Sequence, residues 1–151
     1  MSSTDRIEKR VSIKAPRARV WKALTDSTEF GKWFGIKLDG PFTPGATTRG
    51  QITIPNYDHL SAEFYVERIE PEAYFSYRWH PYAVDPAVDY SKESTTLVEF
   101  KLDQEGAATV LTIVESGFDR IPIARRAEAF RMNDGGWTSQ IKNIENHVIK
   151  T

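Results

Sequence analysis

The sequence contains no cysteine. Disulfides, thiol nucleophiles and thiolate metal sites are thereby excluded, while the redox compartment stays open. It also lacks a surplus of either charge: 20 Lys and Arg stand against 21 Asp and Glu, a net charge of −1. Neither nucleic acid nor an anionic membrane therefore has its usual electrostatic pull, and neither is expected as a partner. No apolar run approaches the ~18 residues of a membrane helix, and the opening MSSTDRIEKR has no apolar core for a secretory signal. The expected location is the cytoplasm. The three histidines, His59, His80 and His147, lie far apart without a ligand at helical spacing, so no metal centre is expected. A nucleophile-elbow word, a phosphate-cradling glycine loop and a dinucleotide fingerprint are missing too; Gly135-Gly136 follows a helical segment and not a strand. Nucleotide binding and nucleophilic catalysis are disfavoured, and no cofactor is expected.

What is present is the composition of a folded domain. Of 151 residues, 40% are hydrophobic and 27% charged, and no repeat or linker divides them, so residues 1–151 read as one domain. Aromatics are plentiful, with four Trp, eight Phe and six Tyr.

Ile7, Val11 and Ile13 alternate with Arg6, Arg10 and Ser12, which predicts a half-buried strand ending at Ala15-Pro16. Val20, Trp21 and Leu24 then recur at helical spacing, so Pro16 to Leu24 reads as a short helix. A second helix follows, opened by Asp26 and Glu29 in the form of a capping box and closed by Phe30, Trp33 and Phe34 before Gly35. From Gly35 to about Ser116 the pattern becomes an antiparallel meander. Its strands are Gln51 to Ile54; the run of Ala62, Phe64 and Val66; that of Phe75, Tyr77 and Trp79; and a hairpin in which Val98, Phe100 and Leu102 lead through Asp103 to Ala107 into Val110 to Glu115. Pro81 to Ser94 has no period and reads as a long exposed loop.

Ile123, Ala127, Phe130, Trp137, Ile141, Ile144 and Val148 then form one helical stripe. Asn133-Asp134-Gly135-Gly136 is turn chemistry in isolation, and each glycine costs about 1 kcal/mol in a helix. The stripe keeps its phase across them, which favours one helix, kinked or loosened there, over two. Asn133 to Trp137 is the expected hinge.

Strand, two short helices, meander and long terminal helix is a helix-grip arrangement, and the local words carry a resemblance. These words are Trp21-Lys22-Ala23-Leu24-Thr25-Asp26, Phe30-Gly31-Lys32-Trp33-Phe34-Gly35, Phe75-Ser76-Tyr77-Arg78-Trp79, Glu115-Ser116-Gly117-Phe118 and Gly136-Trp137. In that order they resemble proteins similar to the C-terminal domain of the heat-shock protein 90 ATPase activator, within the START-like (SRPBCC) superfamily that also holds birch-pollen-allergen-like proteins and polyketide cyclases. The resemblance implies an α+β helix-grip fold, with a curved antiparallel sheet, two short helices and a long C-terminal helix enclosing a cavity for an apolar small molecule. It does not imply one common reaction. The activator proteins carry a further N-terminal domain for chaperone contact, for which this sequence has no room, so fold and cavity are expected before chaperone stimulation.

The large inward candidates for that cavity are Trp33, Phe34, Phe64, Tyr77, Trp79, Phe100, Ile113, Trp137 and Ile141, each of which also reads as plain core. Glu115 joins them if it shares the face of Leu111 and Ile113, as a carboxylate available to act as acid or base or to pair with Arg78 and orient a ligand; otherwise it is a solvated strand end or half of a structural ion pair. Arg78 itself points outward if Phe75, Tyr77 and Trp79 line the interior. The leading expectation is a binding protein for a hydrophobic or aromatic ligand, as monomer or homodimer. The alternatives are a cyclase- or hydrolase-like enzyme using Glu115 with Tyr77 or His80, and a chaperone-interacting protein.

Overall fold

The computed structural model of the chain describes residues 5–85 and 87–150. Residues 1–4, part of the opening segment considered above, lie outside the described residues, as do Pro86 of the long loop and Thr151.

Alternation produces the first strand, β1 (Arg6–Ile13), whose Ile7 and Ile13 are buried. Two helices follow, α1 (Arg17–Thr25) and α2 (Ser27–Phe34). Asp26 caps α2 by accepting the amides of Thr28 and Glu29 at 3.0 Å each. The reciprocal half of the expected capping box is not made, because the Asp26 amide already donates to the Lys22 carbonyl. Glu29 instead accepts from Arg19 at 2.7 Å and pairs with the His147 ring at 2.9 Å. Gly35 closes α2 at φ 89°, and at Gly31 a Cβ would meet the Ile36 carbonyl oxygen at 2.3 Å, so only glycine lets the chain double back there.

The meander comprises β2 (Ile36–Leu38), β3 (Thr47–Ile52), β4 (Ser61–Glu70), β5 (Tyr74–Trp79), β6 (Thr96–Glu105) and β7 (Ala108–Ser116). With β1 they form one seven-stranded curved antiparallel sheet in the order β1-β7-β6-β5-β4-β3-β2. Two strand boundaries differ from the sequence pattern. The segment expected at 51–54 is β3 and lies at 47–52, and its partner β2 carries no sequence signal of its own. Both are set by pairing: Ile36 to Leu38 bond across to Gly50 to Ile52, and a turn through Asn56 at φ 75° ends the run.

The last element, α3 (Ile123–Lys150), runs unbroken through Gly135-Gly136. Its buried face is Ala129, Trp137, Ile141, Ile144 and Val148. The stripe expected from Ile123 begins later, since Ile123 is 84% exposed and Ala127 is exposed. Both lie on the solvent side of the first turns, whose other side holds Arg125 against Glu93 and Pro81 of the 81–94 loop. At its other end α3 is tied to α1 and α2 through Glu29. Burial alone would raise the Glu29 pKa, but the bonds from His147 and Arg19 prevail and hold it below its ordinary 4.5. A lowered carboxylate pKa stabilises the fold above the unfolded value, and that gain is lost as pH falls through the folded one. Glu29→Gln is therefore expected to lower stability by about 1 kcal/mol at pH 7, with the gap to wild type closing below pH 4.5 in urea titrations.

Candidate functional site

The inner face of the sheet and the underside of α3 enclose a cluster of rings. Phe30 lies 4.5 Å from Trp33, Phe64 4.9 Å from Tyr77, and Trp79 5.9 Å from Trp137 between centroids. All ten sequence candidates sit in or against this core: Phe34 and Trp79 are partly buried, the other eight buried. The protein's own rings pack against one another across this interior, Phe75 on Phe100 at 5.8 Å and Phe100 on Trp137 at 5.9 Å. Two shallow clefts, of ≈ 390 and ≈ 640 Å³, open elsewhere on the surface, and none of the ten candidates lines either.

Within this cluster Glu115 has a special environment. It shares the face of Leu111 and Ile113, and its relative exposure is 0%. It is neither a solvated strand end nor half of an ion pair: no lysine, arginine or histidine nitrogen among the described residues lies within 4.0 Å of it. Four neutral groups hold the carboxylate. Trp137 Nε1 donates to Oε1 at 2.8 Å, Trp79 Nε1 to Oε2 at 2.8 Å, and the Thr96 hydroxyl to Oε2 at 2.5 Å. The Asn133 amide bridges both oxygens at 2.9 and 3.2 Å. Strand register explains the convergence, since Val98 pairs directly with Glu115 while Thr96, one step along the same face, pairs with Trp79. Asn133 and Trp137 reach the same point because they stand one helical turn apart on α3. Burial raises the Glu115 pKa above its ordinary value, and the bonds from Thr96, Trp79, Trp137 and Asn133 counter that only in part.

Tyr77 occupies the same cross-strand row as Val98 and Glu115. Its side chain is fully buried, and its hydroxyl has no hydrogen-bond partner. Burial and the negative charge of Glu115 push the phenol well above its usual range. An unpartnered buried hydroxyl is costly, so Tyr77→Phe is expected to raise stability by about 1 kcal/mol in urea unfolding. A fall would mean that the oxygen holds a bond.

The remaining candidates divide by what they touch. Trp33 spends its indole on the Ala23 carbonyl at 2.8 Å, pinning α2 to α1. Phe34 stacks outside Phe30 and touches Phe64 and Trp79, at the partly buried edge of the cluster. Arg78 points outward, bonding Glu67 at 3.0 Å, and so does not meet Glu115. His80 lies with Arg78 in the outer cleft, its ring nitrogen 3.2 Å from the Glu93 carbonyl, and does not join Glu115 either. The long loop is no free strap: Arg125 of α3 bonds Glu93 at 2.5 and 2.8 Å and the Pro81 carbonyl at 2.8 Å.

Two members of the site were not singled out from the sequence. Asn133 reads as turn chemistry beside the glycines, and its spacing of four from Trp137 was the usable signal. Thr96 stands just ahead of the alternating Val98, Phe100 and Leu102, and extending that alternation backwards by one step would have found it.

A curved antiparallel sheet packed under one long C-terminal helix, its two short helices closing an aromatic interior, places the chain among helix-grip, START-like domains. More narrowly, residues 14–148 match the family model described as activator of Hsp90 ATPase homolog 1-like protein, and the chain belongs to that family. Among curated proteins none matches. Of solved structures, DynU16, described as a putative protein in the dynemicin biosynthetic locus, is 28% identical with a TM-score of 0.72; the match covers 95% of this chain. It covers only 46% of DynU16, so this chain spans about half the length of that relative. MLL2253 from Mesorhizobium loti is 22% identical, with a TM-score of 0.76 and coverage of 97% and 98% of the two chains. The Aha1 dimer from Colwellia psychrerythraea is 17% identical, with a TM-score of 0.70 and 95% coverage of each chain. No helix among the described residues is long and apolar enough to cross a membrane, and no group of three or more metal-type side chains gathers there.

Proposed function

We propose that this chain works as one domain in the cytoplasm and binds a hydrophobic or aromatic small molecule between its sheet and α3, without metal or organic cofactor. The observation that carries this reading is the pairing of Glu115 and the unpartnered Tyr77 hydroxyl inside an aromatic cluster. Folding leaves the Tyr77 hydroxyl unpartnered in an apolar interior at a cost, which a bound molecule offsets by supplying its missing contact. Entry is expected at the partly buried edge, where Phe34 and Trp79 meet the middle of α3. There an added Cβ at Gly135 or Gly136 would meet nothing within 4 Å, so Asn133 to Trp137 has room to deform. The ten candidates Trp33, Phe34, Phe64, Tyr77, Trp79, Phe100, Ile113, Glu115, Trp137 and Ile141 form the wall, with Thr96 and Asn133 added.

Binding is favoured over turnover by the state of the carboxylate. Glu115 already accepts five hydrogen bonds, against about four lone-pair sites, and has none to spare for abstracting a proton. The test is native mass spectrometry of the purified protein for a retained ligand, with a thermal-shift screen of apolar compounds. Retained mass or a raised Tm supports the reading; no retained mass and no shift with any compound sinks it.

A protein partner, either a chaperone or a second copy, is the other reading. Family membership and the dimer recorded for the similar Aha1 from Colwellia psychrerythraea favour it. Light scattering that shows only monomer, with no chaperone recovered from lysate, would remove it.

A further inference from the structure

We infer that the ligand accepted beside Glu115 is an organic cation, an ammonium group carried on an aromatic or apolar body. This rests on the binding reading above and narrows it to a charge class.

The first ground is a buried carboxylate with no ion-pair partner among the described residues. Glu115 is surrounded by neutral donors alone, with an indole on each oxygen. Two indoles, a hydroxyl and an amide satisfy its hydrogen bonds, yet none of them is a counter-ion for a carboxylate inside an aromatic core. Cations on three neighbouring elements are engaged by other carboxylates: Lys9 of β1 by Asp134 at 3.0 Å, Arg78 of β5 by Glu67 at 3.0 Å and Arg125 of α3 by Glu93 at 2.5 Å. None is free to turn inward and neutralise it.

The second ground is Tyr77. Its buried hydroxyl oxygen has lone pairs and no donor, and it feels the charge of Glu115. An ammonium N–H supplies the donor that this oxygen lacks. The third ground is the wall itself. Trp79 and Trp137 lie 5.9 Å apart and tilted by 32°, with Phe34 5.9 Å from Trp79. Both indoles aim their N–H edges at Glu115, so their faces are left for the apolar or aromatic body of the ligand while its charge lies toward the carboxylate. An anionic ligand would meet an unscreened like charge in the same place. A neutral one would leave the field of Glu115 as it is.

Three matched probes test this by calorimetry and thermal shift: 2-naphthylmethylamine, 2-naphthylmethanol and 2-naphthoate. The amine is expected to bind at least about tenfold more tightly than the alcohol, with the carboxylate weakest. Glu115→Gln is expected to erase the preference for the amine. Because that change turns an amide donor towards an indole, Asn133→Lys serves as a second variant on a half-buried helical site. Its ammonium pairs with Glu115 from within, so amine and alcohol are expected to bind alike while the fold is kept. Equal binding of amine and alcohol to the wild type, or a preference that survives Asn133→Lys, overturns the charge inference and leaves the binding reading standing. No response to any of the three probes from the wild type counts against both.

Discussion

Glu115→Ala is expected to destabilise the protein by about 3–5 kcal/mol, seen as a fall in Tm of about 10 °C. Removing the carboxylate strands four donors at once: the indoles of Trp79 and Trp137, the Thr96 hydroxyl and the Asn133 amide. Thr96 and Trp137 are buried and cannot turn to water, and each unsatisfied group costs about 1–3 kcal/mol. Trp79 and Asn133 are only partly buried and recover some of their loss by hydration. The burial of the charge works the other way, since its pKa is raised: on that account alone the fold loses stability as pH rises above 4.5. Donor loss prevails because it strikes β5, β6 and α3 together. Glu115→Gln keeps one acceptor oxygen and is expected to cost about half as much. A loss below about 1 kcal/mol for the alanine variant would mean that the donors find other partners.

Phe30→Ala is expected to cost a similar amount, about 3–5 kcal/mol, through a different mechanism. Phe30 is fully buried where α2 meets the sheet, with ring contacts to Trp33, Phe34, Phe42, Phe64 and Tyr77 between 4.5 and 6.4 Å. Truncation removes dispersion contacts on five sides and leaves a hole that five rigid rings cannot close. Tyr57→Ala is the matched control, because Tyr57 is 51% exposed and its loss is expected to fall within about 0.5 kcal/mol. Urea unfolding of both variants checks the contrast. A Phe30→Ala loss no larger than that of Tyr57→Ala would show a fluid interior.

The reading from sequence was strongest where a short-range period carries the information. The alternation of Phe75, Tyr77 and Trp79 reported the inward face of β5, and the outward placement of Arg78 followed from it. The phase kept between Phe130 and Trp137 identified one helix across two glycines. It was weakest where pairing partners decide. β2 has three residues and no period of its own, and exists because β3 bonds to it. Glu29 was assigned to a capping box, yet its side chain belongs to Arg19 and His147, the latter 118 positions away. Local propensity holds no information about a partner at that separation.

The site divides in the same way. Composition, alternation and the helical stripe determined an aromatic interior under a C-terminal helix, with Glu115 as its one candidate acid, because side-chain direction in strands and helices follows from local geometry. Only the tertiary structure decided what that acid is. Trp79, Thr96, Asn133 and Trp137 come from three elements, and they become its partners only when β5, β6 and β7 are in register and α3 is laid across them. A buried carboxylate takes its state from the groups that surround it in space. Four neutral donors, and no cation among the described residues, leave Glu115 a buried carboxylate without a counter-ion.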